Sequence, residues 1–237
     1  MNQGFVARRA FFVVLALIFS VLASEFSTDL QKHDVHFGEC GESLQWTFDS
    51  DALSLLIEGT GKMNDYPDCG PWGSYASSIE KIVIASGVES IGDNAFASLN
   101  RLTTVEMADT VTSIGANAFC SCNELFNITL PTTIQKIGSG AFRNCSRLEQ
   151  INIPTSLSHI EDNCFLNCSQ LSHIVIPDSV HIIGEEVFGS CTNMVSITFL
   201  GSIEYITPTA FSGCDNLETV TYLGTSIFET RLTGIPS

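Results

Sequence analysis

Nine cysteines and five histidines are the side chains of this 237-residue chain most able to do chemistry. Cys122, Cys145, Cys168, Cys191 and Cys214 follow one another at a constant step of 23 residues. A zinc site would want C-x-x-C pairs that bring four ligands together. Neither Cys120-Ser121-Cys122 nor the pair Cys164 and Cys168 has that spacing. A constant step instead suggests equivalent positions in a stack, where Cβ vectors run nearly parallel at about 4.8 Å. That exceeds the roughly 3.5–4.5 Å of a disulfide. One step before Cys122 stands Leu99, so the slot accepts an apolar residue, and the column is expected to hold buried free thiols. Cys40 and Cys69 lie outside the column. They either bridge, closing a loop worth roughly 3–4 kcal/mol, or remain thiols. With nine cysteines, at least one is unpaired in any scheme.

The histidines His33, His36, His159, His173 and His181 share no column and have no carboxylate or cysteine at a telling spacing. No G-x-S-x-G elbow, phosphate-binding loop or G-x-G-x-x-G turn occurs. The expectation is a non-enzyme with no cofactor and no metal. Three N-x-S/T sequons, at Asn127, Asn144 and Asn167, are glycan-acceptor candidates in a secreted chain. The repeat itself writes a polar-Cys-Ser string at the last two, so these can arise without any glycan.

What positions these groups is a repeat. Phe96, Phe119, Phe142, Phe165, Phe188 and Phe211 stand 23 residues apart without insertion or deletion. Ile82, Val105, Ile128, Ile151, Ile174, Ile197 and Val220 form a second apolar column, and Ile91, Ile114, Ile137, Ile160, Ile183 and Ile206 a third. A period of 20–29 residues with apolar columns is the mark of a leucine-rich-repeat solenoid, each repeat one coil stacked on the last. Within a coil, the Ile151/Ile153 alternation reads as a strand. Pro154 cannot donate to a ladder and should end it. A second short strand is expected over Leu157 to Ile160, and a helical or 3₁₀ turn around Phe165.

Residues 1–23 hold Arg8, Arg9, the apolar run Ala10 to Leu22 and then Ala23, the layout of a secretory signal peptide. The run is short of the ~20 apolar residues of a membrane span, so cleavage after Ala23 or Ser24 is expected. A membrane association is expected only if that leader is retained. Residues 24–77 break the period and read as an N-terminal cap, with Leu44, Trp46 and Phe48 alternating, a turn at Asp49-Ser50-Asp51, and Leu53, Leu55 and Ile57 alternating again. Six 23-residue repeats occupy 78–215, and 216–237 hold a truncated seventh and a tail. Without the leader, 8 basic residues face 26 acidic ones, a charge of −18. Such a surface excludes nucleic acid as a partner.

The outward positions of the first strand make two lanes. One carries Lys81, Thr104, Asn127, Gln150, His173, Ser196 and Thr219. The other carries Val83, Glu106, Thr129, Asn152, Val175, Thr198 and Thr221. Uncharged polar residues dominate on an otherwise acidic chain. The lanes suit hydrogen bonding to an extracellular protein or glycan ligand, or they are a solvated face rich in strand-favouring threonine.

The repeat L-x-x-I-x-I-P-x-x-L-x-x-I-G-x-x-A-F-x-x-C closely resembles the BspA-like (Treponema pallidum-type) leucine-rich repeat. The segment Cys40-Gly41-x-x-Leu44-x-Trp46, Gly59-x-Gly61-x-Met63, Pro71-Trp72 and Ile79-x-x-Ile82 resembles what precedes such repeats, so the likeness covers about residues 40–230. Ile160-Glu161 and Ile206-Thr207 depart by lacking the glycine. Taken together, the fold expected is an α/β-poor solenoid of short parallel β-strands with helical or 3₁₀ turns and an N-terminal β-hairpin cap. The resemblance implies a secreted or cell-surface protein in an adhesive role, with no catalytic residues to carry over. A surface module that self-associates without a specific ligand is the alternative.

Overall fold

A computed structural model describes residues 34–224. The leader read over residues 1–23 and the segment from residue 225 onward lie outside the described residues. The chain first makes β1 (Val35–Glu39), β2 (Leu44–Asp49) and β3 (Ser54–Gly59), an antiparallel meander in which Trp46 faces Ile57 and Phe48 faces Leu55. Asp49 Oδ1 closes the β2–β3 turn by accepting the N–H groups of Asp51 and Ala52 at 2.9 and 3.0 Å. β1 has no counterpart in the sequence reading, because its exposed Val35 and Phe37 give no inward apolar alternation.

The short β4 (Gly61–Lys62) and a single 3₁₀ turn at Gly73–Tyr75 lead into the coils. Each coil then carries two strands: β5 (Lys81–Ile84) and β6 (Val88–Ile91), β7 (Thr104–Met107) and β8 (Ser113–Ile114), β9 (Asn127–Ile128) and β10 (Lys136–Ile137). They continue as β11 (Gln150–Ile151) and β12 (His159–Ile160), β13 (His173–Ile176) and β14 (Ile182–Ile183), β15 (Ser196–Phe199) and β16 (Tyr205–Ile206), ending with β17 (Thr219–Tyr222). Equivalent strands pair in parallel at a step of one coil, as Ile174 with Ile197 and Ile197 with Val220. The result is a solenoid of about seven turns. β3 joins its first wall in parallel to β5, so the hairpin and the coils share one sheet.

The third side of each coil carries the phenylalanines. The helical or 3₁₀ turn expected there takes the form of successive single turns. They are closed by N–H to C=O bonds three residues back, such as Ala97 to Asn94 and Cys120 to Asn117. Left-handed residues keep those turns from running on into a helix. They recur in two columns, at Asn94, Asn117, Gly140, Asn163 and Glu186, and at Ser98, Ser121, Asn144, Asn167, Ser190 and Gly213. Asparagine and glycine tolerate that backbone best. The phenylalanine N–H groups point to the next coil instead, Phe119 to the Ala141 carbonyl at 2.8 Å and Phe142 to that of Cys164 at 2.9 Å.

Rings of Trp72, Phe96, Phe119, Phe142, Phe165, Phe188 and Phe211 stack face on face with centroids 5.1–5.7 Å apart. Trp72 thus begins the phenylalanine column from the preceding segment, its Nε1 donating to the Ala95 carbonyl at 3.0 Å. Each ring stabilises by roughly 1.5–3 kcal/mol through burial, and each stacked pair adds about 0.5–1.5 kcal/mol.

The Ile-Gly phrase follows from close approach of backbones. A Cβ at Gly115 would sit 2.5 Å from the Asp93 nitrogen, and one at Gly138 2.5 Å from that of Ala116. The glycine N–H groups reach the previous coil at 2.9 Å (Gly115 to Ile91) and 2.9 Å (Gly138 to Ile114). Thr207, standing in a glycine position, still makes the bond at 3.2 Å. Glu161 makes no such bond, and the second wall divides there, β10 belonging to one sheet and β12 to another.

Two substitutions test this packing by chemical denaturation. Phe142→Ala should destabilise by about 3–5 kcal/mol, and Gly115→Ala by about 1–3 kcal/mol through overpacking. Unchanged midpoints for both would contradict the stacked-coil account.

Candidate functional site on the strand face

The cysteine column is wholly buried, and each thiol has a defined partner. Cys122 donates to the Phe96 carbonyl at 3.2 Å, Cys145 to Phe119 at 3.1 Å, Cys168 to Phe142 at 3.1 Å, Cys191 to Phe165 at 3.3 Å and Cys214 to Phe188 at 3.0 Å. The same carbonyl of Phe119, Phe142, Phe165 or Phe188 also accepts the N–H three residues on, so both of its lone pairs are used. Burial pushes these thiols up, Cys214 to about 11 and the others further. Such thiols are poor nucleophiles.

Cys40 and Cys69 do not form the bridge considered from sequence; both are free. Cys40 is held by its own N–H, which donates to the Leu44 carbonyl at 3.0 Å, and burial raises its thiol to about 12. The Cys69 thiol is directed to the Ala95 carbonyl at 3.8 Å.

Three histidines meet hydroxyls or a carbonyl, and His36 stacks on Tyr75 with centroids 4.3 Å apart. His159 Nδ1 lies 2.7 Å from Ser158 Oγ, His173 Nδ1 2.8 Å from Ser196 Oγ, and His181 Nδ1 3.1 Å from the Ser202 carbonyl. Of the sequon asparagines, Asn127 is exposed at the start of β9. Asn144 and Asn167 occupy left-handed positions, and their amides are engaged: Asn167 Nδ2 donates to Asn144 Oδ1 at 2.8 Å, and Asn144 Nδ2 to Ser121 Oγ at 3.3 Å.

The lanes are not uniform. At their N-terminal end Lys81 and Glu106 neutralise one another at 2.6 Å, an exposed pair worth about 0–1 kcal/mol. At the other end β13, β15 and β17 carry His173, Ser196, Thr219, Val175, Thr198 and Thr221 on one continuous sheet. Between them the first wall is interrupted twice, between β7 and β9 and again between β11 and β13.

Proline accounts for both interruptions. One rung of each coil junction comes from the residue after the first strand: Ala85 to Ile57 at 2.9 Å, Ala108 to Ile84 at 3.0 Å, Leu200 to Ile176 at 2.9 Å and Leu223 to Phe199 at 2.9 Å. The equivalents in the intervening coils are Pro131, Pro154 and Pro177, which have no N–H to give. Only the Pro154 junction keeps its ladder, β11 on β9. There the Asn152 side chain acts as a peptide group: Nδ2 donates to the Leu130 carbonyl at 2.8 Å, and Oδ1 accepts the Leu130 N–H at 2.7 Å. The matching residues at the open junctions, Thr129 and Val175, lack an amide. Asn152, read from sequence as part of the candidate face, is therefore engaged with its own backbone.

A groove of about 700 Å³ lies over this region. It brings together six of the sequence-selected residues, Asn127, Thr129, Gln150, Asn152, His173 and Val175. Lys81, Thr104, Glu106, Ser196, Thr198, Thr219 and Thr221 lie beyond its lining. Sequence reasoning missed Glu149, Ser172, Thr155, Pro177 and Leu200, which flank the lanes and are not on them. Its floor includes Ile151, half-buried where its column mates Ile128, Ile174 and Ile197 are buried. The run of prolines, read from sequence only as strand ends, is the signal that could have found the opening.

A profile of the "BspA type Leucine rich repeat region" matches residues 74–193 and 112–231, in 6 copies. No curated protein matches the chain. Among solved structures, the chain is similar to the leucine-rich repeat protein of T. pallidum, at 19% identity over 82% of this chain and 89% of that one, TM-score 0.42. A leucine rich cell surface protein from Faecalibacterium prausnitzii is similar at 15% identity over 84% and 97%, TM-score 0.40. A leucine-rich repeat protein from Eubacterium ventriosum is similar at 17% identity over 82% and 86%, TM-score 0.36.

Two outcomes are expected. A thiol-reactive disulfide reagent should label native protein at half-buried Cys69 and Cys120 before any other described cysteine. Cys145, Cys168 and Cys191 should react only after unfolding, as read by mass spectrometry. Asn152→Ala should lower stability by about 1–3 kcal/mol, the cost of orphaned backbone groups, with faster amide exchange at Leu130. A stability equal to wild type would assign Asn152 to the solvated face.

Proposed function

Because this chain belongs to the BspA-type leucine-rich-repeat family, we propose that it is a secreted or cell-surface binding protein that mediates adhesion to an extracellular protein or glycan. The observation that carries this reading is the groove of about 700 Å³ on the strand face, lined by polar and apolar side chains with Glu149 the one charge. A solenoid of this kind offers an extended surface that can meet a partner through many weak contacts. The leader read over residues 1–23 supports export. No helix among the described residues is long and apolar enough to cross a membrane.

The face favours distributed recognition. Gln150, Asn127 and His173 offer hydrogen-bond donors and acceptors without a fixed charge, and Val175 (53% exposed) and Leu200 (43% exposed) add apolar area beside them. A partner covering three or four coils would bury enough of both to gain affinity without a single dominant residue. The β9–β11 junction, held by Asn152, keeps the middle of the face at fixed register.

The test is a pull-down of extracellular matrix and cell-surface proteins with the purified chain, alongside sizing of that chain alone. A partner should be captured by wild-type protein and lost when Thr104, Gln150, His173 and Ser196 are changed together to lysine, with circular dichroism unchanged. Single changes such as Gln150→Ala should cost little. Capture undiminished by the lysine set would remove the strand face as the site. Concentration-dependent oligomers with no partner would favour self-association instead.

A further inference from the structure

From Leu148 to Gly224 the chain has no lysine and no arginine, yet carries nine carboxylates. The preceding coils differ: there Lys81, Arg101 and Arg147 pair with Glu106, Glu80 and Glu124 at 2.6, 2.7 and 2.5 Å. The groove opens mainly in the cation-free half. Its only charged lining residue is Glu149. Within it, the Ile153 carbonyl has lost its donor, because the residue due to supply the rung is Pro177 and the one that could substitute is Val175. No protein donor reaches that carbonyl among the bonds of the described residues. A hydrogen-bond acceptor so placed gains from an incoming donor.

Resting on the binding role proposed above, we infer that the opening between β11 and β13 is a docking site for an extended basic peptide segment bearing alternate apolar side chains. The chemistry is complementary at each point. A cationic side chain meets Glu149 in a groove whose lining holds no lysine or arginine. A ligand N–H meets the Ile153 carbonyl that Pro177 leaves without a rung. An aliphatic side chain covers Ile151 between Val175 and Leu200. The lining runs from Asn127 in one coil to Leu200 three coils on, a span of about 14 Å at strand spacing, which about four residues of extended chain would cover. The lining contains no aromatic ring besides the His173 imidazole, so a flat sugar face would find little to stack on.

The full-length chain, purified and folded, is titrated calorimetrically at roughly physiological salt with three blocked hexapeptides: (Leu-Lys) repeated, (Gly-Lys) repeated and (Leu-Glu) repeated. The Leu-Lys peptide should bind one to one and at least about tenfold more tightly than either control. Val175→Asn would place an amide where Asn152 stands one coil earlier, supplying the Ile153 carbonyl from within. That variant and Val175→Lys should each weaken the Leu-Lys peptide at least about tenfold, whereas Thr219→Asn outside the groove should leave it unchanged. Glu149→Gln should weaken it several-fold. No binding, equal binding of the Gly-Lys peptide, or full binding by Val175→Asn would each overturn the inference. If the peptide fails while the lysine set still abolishes capture of a protein partner, the groove assignment falls and the adhesive reading stands.

Discussion

Stacked aromatic rings from Trp72 to Phe211 impose a single condition on everything else: each coil must return its phenylalanine to the same point, one ring thickness further along. A coil one residue longer would carry Phe142 off the rings of Phe119 and Phe165, which now lie 5.5 and 5.7 Å away. It would also misalign the N–H of Phe142 with the Cys164 carbonyl and the thiol of Cys168 with the Phe142 carbonyl. Ring contact, backbone bond and thiol bond all fail together, which is why the 23-residue step shows neither insertion nor deletion. Because no coil buries its apolar face alone, each coil's stability is lent by its neighbours.

Two ladders of small side chains follow from the same repetition. The thiols answer buried carbonyls in a slot that is apolar and narrow, which a sulfur fills better than a hydroxyl would. Polar side chains of one left-handed column bond along it, Asn167 to Asn144 and Asn144 to Ser121. Both ladders arise from a position repeated at strand spacing, where each side chain finds the same kind of partner one coil away. Neither needs a charge.

Much of this was legible in the sequence, and the reason is specific. The columns ending at Phe211, Cys214 and Ile206 are periodic, and periodicity survives in a string of letters. The Leu44/Trp46/Phe48 alternation with its partner Leu55/Ile57 was equally plain, since one face of that hairpin is buried. β1 was not, because Val35 and Phe37 face outward. The groove was hidden for another reason. Pro131, Pro154 and Pro177 were visible as strand ends, but they look identical. What distinguishes them is whether Asn, Thr or Val stands two residues earlier, and only the amide of Asn152 reaches a backbone group of the previous coil. Glu149 and Leu200 escaped notice because the lanes were defined by strand positions, and both lie just outside them.

The interruptions of the walls are staggered. The first wall is open at the β7–β9 and β11–β13 junctions, the second at β10–β12, and no junction is open on both. The aromatic side has no gap: rings, turns and thiols bridge every junction from Phe96 to Phe211. Mechanically the coils form one continuous spine with two segmented flanks. Its stiffness must differ with direction, high against stretching along the spine and low against bending that opens a flank. Load applied at one end would be carried by the phenylalanine column and felt as small angular openings at alternating junctions. A stack of this design would yield first at its open flank junctions, with every coil still folded.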